Sequence, residues 1–357
     1  MRKLLSILLV VMLTFGITTT AFATGDTGEE SDRLVAVSIY FRKAYNLTNP
    51  GTTSPEETFT FAFEPVAVRG TSGAVTVENM PAISDASVTF DEGLAGAVEE
   101  YEGGGAYPLY IKTVYVSLSG VTWPEVGQYI YKVTETAEST AGVTYDSAER
   151  YMIFTVTLDH SGHEEVYGAV MMSDPDSLDS KVEGFTNEYS AGKLAISKTV
   201  TGAMGNTAQY FAVKVTLTGQ EGKNYQNSYA VAGGSKIENG TDSCAASTIS
   251  IGTPKTFYVK HDETITIENL PYGVTYTVEE VLDSSDPLPY TATYAFSDNG
   301  ETKMIDSAEE TVGITNNRNY TPNTGIGLDS APYLVILLAV AVGLGLFFMR
   351  KRSSYER

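Results

Sequence analysis

Two lysines and two glutamates occupy positions where an apolar side chain is expected. In IYFRK, alternation puts Ile39, Phe41 and Lys43 on one face, and in LAISK it groups Leu194, Ile196 and Lys198. The same parity joins Tyr129, Tyr131 and Val133 to Glu135, and Tyr276 and Val278 to Glu280. An amine and a carboxyl thus point with the apolar residues in each half of the chain, where unpaired charge is expensive. Desolvation lowers a lysine pKa and raises a glutamate pKa, so both groups can be neutral in an apolar core. A neutral amine is a nucleophile, and a protonated carboxyl can polarise a carbonyl and shuttle protons. The plainer alternative is a buried Lys–Glu salt bridge.

The elements that would carry these groups recur in the same order in both halves. Each half opens with the Lys-bearing strand. An alternating strand follows: TFTFAFEP with Phe59, Phe61 and Phe63 on one face, then YFAVKVTL with Phe211, Val213, Val215 and Leu217. Next comes a turn and the Glu-bearing strand, EVGQYIYKVTE or NLPYGVTYTVEE. Each half closes on a strand with Asn, GFTNEY (Asn187) or GITNNR (Asn316). Further strands are predicted at 151–158 and 166–171, with a polar turn at His160–His163 between them. Helical periodicity is nearly absent away from the termini, and strands separated by Gly/Pro/Asn turns predict an all-β chain of two tandem β-sandwiches. The predicted units are 34–189 and 190–319, joined by a short linker at 189–193, after an acidic, disordered start at 24–33.

The segments KLAISKTVTGAMG, NLPYGVTYTVEE and GITNNR resemble the Ig-like Cna B-type domains of Gram-positive pilus backbone subunits, in particular the two-domain streptococcal T-antigen type. The resemblance implies a Lys–Asn isopeptide bond between the first and last strands of each domain, promoted by a nearby Glu. Carried to this chain, the triads are Lys43, Glu135, Asn187 and Lys198, Glu280, Asn316; FRKAYNL matches the family more loosely than the second-half segment. Folding would supply the proximity, ammonia would leave, and the reaction would turn over once. Such a protein is not an enzyme, and no cofactor or metal is implied.

Both ends read as processing signals. Arg2 and Lys3 precede an apolar run from Leu4 to Ile17 and the small-residue site Ala21-Phe22-Ala23, predicting a signal peptide over 1–23. Near the other end, 333–349 is uninterruptedly apolar and precedes Arg350, Lys351 and Arg352. Seventeen residues at about 1.5 Å each give roughly 25 Å, so this segment is predicted to be a transmembrane helix, with 350–357 as a cytoplasmic basic tail. Just before it stand Thr321-Pro322-Asn323-Thr324-Gly325. The order PxTG, spacer, apolar span and basic tail resembles the cell-wall sorting signal of Gram-positive surface proteins, with Thr321 where that family has Leu. The resemblance implies that a sortase cleaves between Thr324 and Gly325 and passes the acyl group to an amine.

Composition narrows the function further. The chain has 357 residues and one cysteine, so it has no internal disulfide framework. Its formal net charge is −21. Removing both processed ends takes away six basic and two acidic residues; 17 basic and 42 acidic remain, a charge of −25 on the exported part. That acidity argues against nucleic-acid binding. His160 and His163 sit in turn chemistry rather than a metal cluster, Gly103–Gly105 lacks the Lys and Ser/Thr of a phosphate loop, and Cys244 has no catalytic partner pattern.

The expected function is therefore a structural backbone subunit of a wall-anchored pilus. Its implied partners are a sortase, other copies of itself in a covalent polymer, peptidoglycan and accessory pilins. The family's acceptor lysine corresponds to Lys181, six residues before Asn187, with Lys193 as a rival. A monomeric wall-anchored adhesin or stalk is the alternative.

Overall fold

The computed structural model describes residues 39–49, 51–94, 99–100, 109–234, 236–237, 247–281, 288–297, 303–319 and 331–353. The signal peptide, the acidic start, Gly103–Gly105, Cys244 and the sorting motif from Thr321 to Gly325 lie outside the described residues. Among the described residues between 39 and 319 the regular elements are strands, as alternation predicts, apart from two short 3-10 turns at Val77–Asn79 and Glu92–Leu94.

The opening strand Ile39–Leu47 buries every second residue, including Lys43. It lies at the centre of a five-stranded sheet, ordered 99–100, 109–116, 39–47, 184–189, 143–144. A second sheet, ordered 86–90, 57–69, 127–135, 150–158, 164–172, contributes the other face. Between them Phe41, Tyr45, Phe59, Phe61, Phe90, Tyr131, Phe154 and Phe185 form one buried cluster, its rings packed largely edge to face.

The second half repeats the plan. A six-stranded sheet is ordered 247–249, 229–233, 264–271, 191–201, 309–317, 291–296, and a four-stranded sheet 236–237, 255–259, 211–218, 275–281. Aliphatic residues dominate its core, among them Leu194, Ile196, Val213, Val215, Ile265 and Val312.

The feature that matters for chemistry is the pairing of first with last strand. In each half these two strands run parallel and adjacent. Lys43 pairs with Phe185, two residues before Asn187, and Lys198 pairs with Ile314, two residues before Asn316. Because side chains alternate, an offset of two keeps each Asn on the same face as its Lys. The closing strand reaches this register at Gly184, where a Cβ would collide with the Arg42 carbonyl oxygen.

The linker expected at 189–193 is corrected by the structure. One strand ends at Tyr189 and the next begins at Ala191, leaving Ser190 alone between them. Gly192 and Lys193 are strand residues because their backbone groups are taken up by pairing with 264–271 and 309–317. Asn49 donates from Nδ2 to the Ala191 carbonyl (2.8 Å) and the Tyr272 hydroxyl (2.6 Å), and Thr53 exchanges two hydrogen bonds with the Asn269 side chain. At the far end a helix, Ala331–Ser353, occupies the place of the expected span, with Val335–Leu338 exposed. Among the described residues, no helix is long and apolar enough to cross a membrane.

Candidate functional site: two buried Lys–Glu–Asn centres

The lysines reach the core because alternation leaves them no other direction, and each is met there by a carboxyl from the facing sheet. Lys43 and Asn187 are fully buried, and the Lys43 Nζ lies 2.6 Å from Glu135 Oε2, with both side chains shielded from solvent. The other carboxyl oxygen, Oε1, accepts a hydrogen bond from Asn187 Nδ2. Glu135 thus touches the Lys43 amine with one oxygen and the Asn187 carboxamide nitrogen with the other.

The second centre has the same wiring. Lys198 Nζ lies 2.6 Å from Glu280 Oε2, and Asn316 Nδ2 donates to Glu280 Oε1 at 2.6 Å. A phenyl ring covers the amine in both cases, with Nζ 4.5 Å from the Phe59 centroid and 4.4 Å from that of Phe211. The predicted triads are therefore brought together in both halves. The two rings were legible only as members of an apolar face, since parity does not say which apolar neighbour lies over an amine.

Burial sets the protonation. Desolvation pulls the Lys43 ammonium down from 10.5 to about 8, against the opposing pull of Glu135, and pushes the Glu135 carboxyl above its usual range. Lys198 is lowered by the same cause, again opposed by Glu280. At the first centre these directions shift the pair towards a neutral amine beside a protonated carboxyl.

The centres differ in what faces the amide oxygen. Asn187 Oδ1 accepts the backbone N–H of Asp146 at 2.8 Å, and that contact fixes which end of the carboxamide is oxygen. Asn316 Oδ1 is buried and has no hydrogen-bond partner among the described residues. Asp146 was not legible as a site residue; TYDSAER carries only a turn signal.

Comparison with known proteins fits this geometry. Residues 39–190 match the family described as Spy0128-like isopeptide containing domain, and residues 192–318 match a domain of unknown function, DUF7601. A pilin of Streptococcus pyogenes serotype M1 is 26% identical over 327 residues, covering 87% of this chain and 90% of the relative. The chain is a homologue of that pilin. The crystal structure of the major pilin from Streptococcus pyogenes superposes on the pilin homologue with a TM-score of 0.52 and 24% identity, covering 79% of this chain and 99% of that one. A 137-residue stretch is 28% identical to the pilus tip adhesin Cpa of Streptococcus pyogenes, covering 38% of this chain and 18% of the adhesin.

Outside the two centres, Lys181 is exposed and forms an isolated bridge with Met172 on the edge of the strand Glu164–Met172. The rival Lys193 lies 3.3 Å from Glu309 in a half-exposed ion pair. His163 sits 3.6 Å from Asp159, whose carboxylate accepts the backbone N–H groups of Ser161 and His163 and so shapes the turn.

Proposed function

We propose that this pilin homologue is the structural backbone subunit of a cell-wall-anchored pilus, built from two tandem Cna B-type domains that each close with a Lys–Asn isopeptide bond. The observation that carries the reading is the duplicated centre: amine, carboxyl and carboxamide in one wiring, on first, facing and last strands of both halves.

The chemistry is balanced within the chain. The neutral Lys43 Nζ attacks Asn187 Cγ, the Cγ–Nδ2 bond breaks, and one Nζ proton reaches Nδ2 through Glu135, so that ammonia departs. Lys198, Glu280 and Asn316 do the same in the second half. Each centre turns over once, so the protein is a product of its own chemistry rather than an enzyme. The bonds close loops between residues 43 and 187 and between 198 and 316, each worth on the order of 5 kcal/mol in the chain-entropy picture. They also join the strands at which a pulling force would enter and leave each domain.

Polymerisation rests on the sequence. In this reading a sortase cleaves the exported precursor after Thr324, and the Lys181 amine of another copy takes the acyl group. The last subunit is passed to peptidoglycan, placing the fibre at the cell surface, where accessory pilins join it. Mass spectrometry of proteolysed wall material tests this assembly. A branched peptide joining Thr324 to Lys181 is expected; a Thr324 branch on Lys193 would move the acceptor, and free Thr324 carboxyl termini throughout would favour a monomeric stalk.

A further inference from the structure

We propose that the backbone N–H of Asp146 is an oxyanion donor for cross-linking in the first half, and that the second half closes without one. This rests on the isopeptide reading above. When Lys43 Nζ adds to Asn187 Cγ, the carbonyl π electrons move onto Oδ1, which becomes the negative oxygen of a tetrahedral intermediate. A donor already 2.8 Å from that atom gains strength as the charge develops. The intermediate then collapses, the electron pair returns to re-form C=O, and Nδ2 leaves with the proton relayed by Glu135.

The donor is held in place by its own side chain. Asp146 Oδ2 accepts the Thr186 N–H at 3.1 Å and faces the Arg150 guanidinium at 3.4 Å, while Oδ1 accepts the Ala148 N–H at 2.9 Å. These contacts pin the turn to the strand Gly184–Tyr189 that carries Asn187, so the N–H and its target move together. Asp146 is thus a positioning residue through its carboxylate and a contact to the reacting atoms through its amide.

At the second centre the equivalent oxygen is buried without a partner among the described residues. Glu280 touches the lysine amine and the carboxamide nitrogen there, so among the described residues the charge developing on Oδ1 meets no donor. The second centre should therefore close more slowly.

The test uses the full chain made by cell-free synthesis, quenched in acid at intervals and digested, with ammonia loss followed separately at the Lys43–Asn187 and Lys198–Asn316 peptide pairs. In the key variant an α-hydroxy acid replaces Asp146, turning its N–H into an ester oxygen while keeping the carboxylate. Closure of the first centre should slow by about 100-fold while the second keeps its rate. Trp123, the chain's one tryptophan, is buried against Tyr129 and Phe154 and reports whether the first half has folded. An unchanged first-centre rate in a folded first half would overturn the proposal. In the unmodified chain, which needs no variant to fold, first-centre closure no faster than the second would overturn it as well. Absence of ammonia loss at both centres would instead contradict the isopeptide reading beneath it.

Discussion

In the proposed reading, burial turns Lys43 into a reagent. Removed from water, its ammonium falls to about 8 while the Glu135 carboxyl rises, and the pair is poised to exchange a proton at the carboxamide of Asn187. Because each centre has its own Glu, the chemistry is separable by residue. Glu280→Ala should abolish ammonia loss at Lys198–Asn316 and leave Lys43–Asn187 cross-linked, read by mass on the digested chain; loss of both would mean that the centres are not independent. The lowered lysine also has a signature in stability. In Asn187→Ala, which cannot cross-link the first half, Lys43 is protonated to a higher pH in the unfolded chain than in the folded one. The unfolded state then binds the extra proton between about 8 and 10.5, so stability rises with pH through that window. Buried tyrosines such as Tyr45, held above their ordinary 10.0, act in the opposite sense beyond that point. Denaturant titrations should therefore show Asn187→Ala gaining stability from pH 8 towards 10, relative to the Lys43→Met/Asn187→Ala double variant. Parallel pH curves for the two would remove the burial argument.

At the scale of elements, the parallel pairing of first and last strands does the aiming. An offset of two residues, the same in both halves, sets each Asn beside its Lys. Gly184 marks the point at which the first-half closing strand meets Arg42 too closely for any side chain. Gly184→Val should therefore displace that strand and prevent the first cross-link, while the second forms normally. Ammonia loss at both centres in this variant would show that the register is not what aligns the groups. The Lys and Glu faces were legible from parity, because an alternating strand has only two faces and one was filled with Tyr, Val, Ile and Phe. The closing strands were legible to the residue at GFTNEY. What period two could not supply was the partner of each strand. LYIKTVYV at Leu109–Val116 pairs along Ile39–Leu47, and nothing local in its sequence names that neighbour. The Asp146 donor was hidden for the same reason, since the direction of a turn N–H depends on the whole path of the chain around it.

Over the whole molecule, a single residue, Ser190, separates two sheet systems, and side chains such as Asn49 and Asn269 bridge the junction. That construction suits a shaft, in which load passes through the last strand of one half directly into the first strand of the next. The lone cysteine leaves no disulfide to carry such load, and the proposed amides resist reductants. Lys181→Ala should collapse the ladder of high-mass polymers in wall extracts to a monomer band; a persistent ladder would assign the acceptor elsewhere. The central claim is that this chain cross-links itself twice. Intact-mass analysis of the folded, exported chain tests it most directly: the mass should fall two ammonia molecules below that of the linear sequence, and the Glu135→Ala/Glu280→Ala double variant should show no deficit. A full linear mass for the unmodified protein would contradict the account.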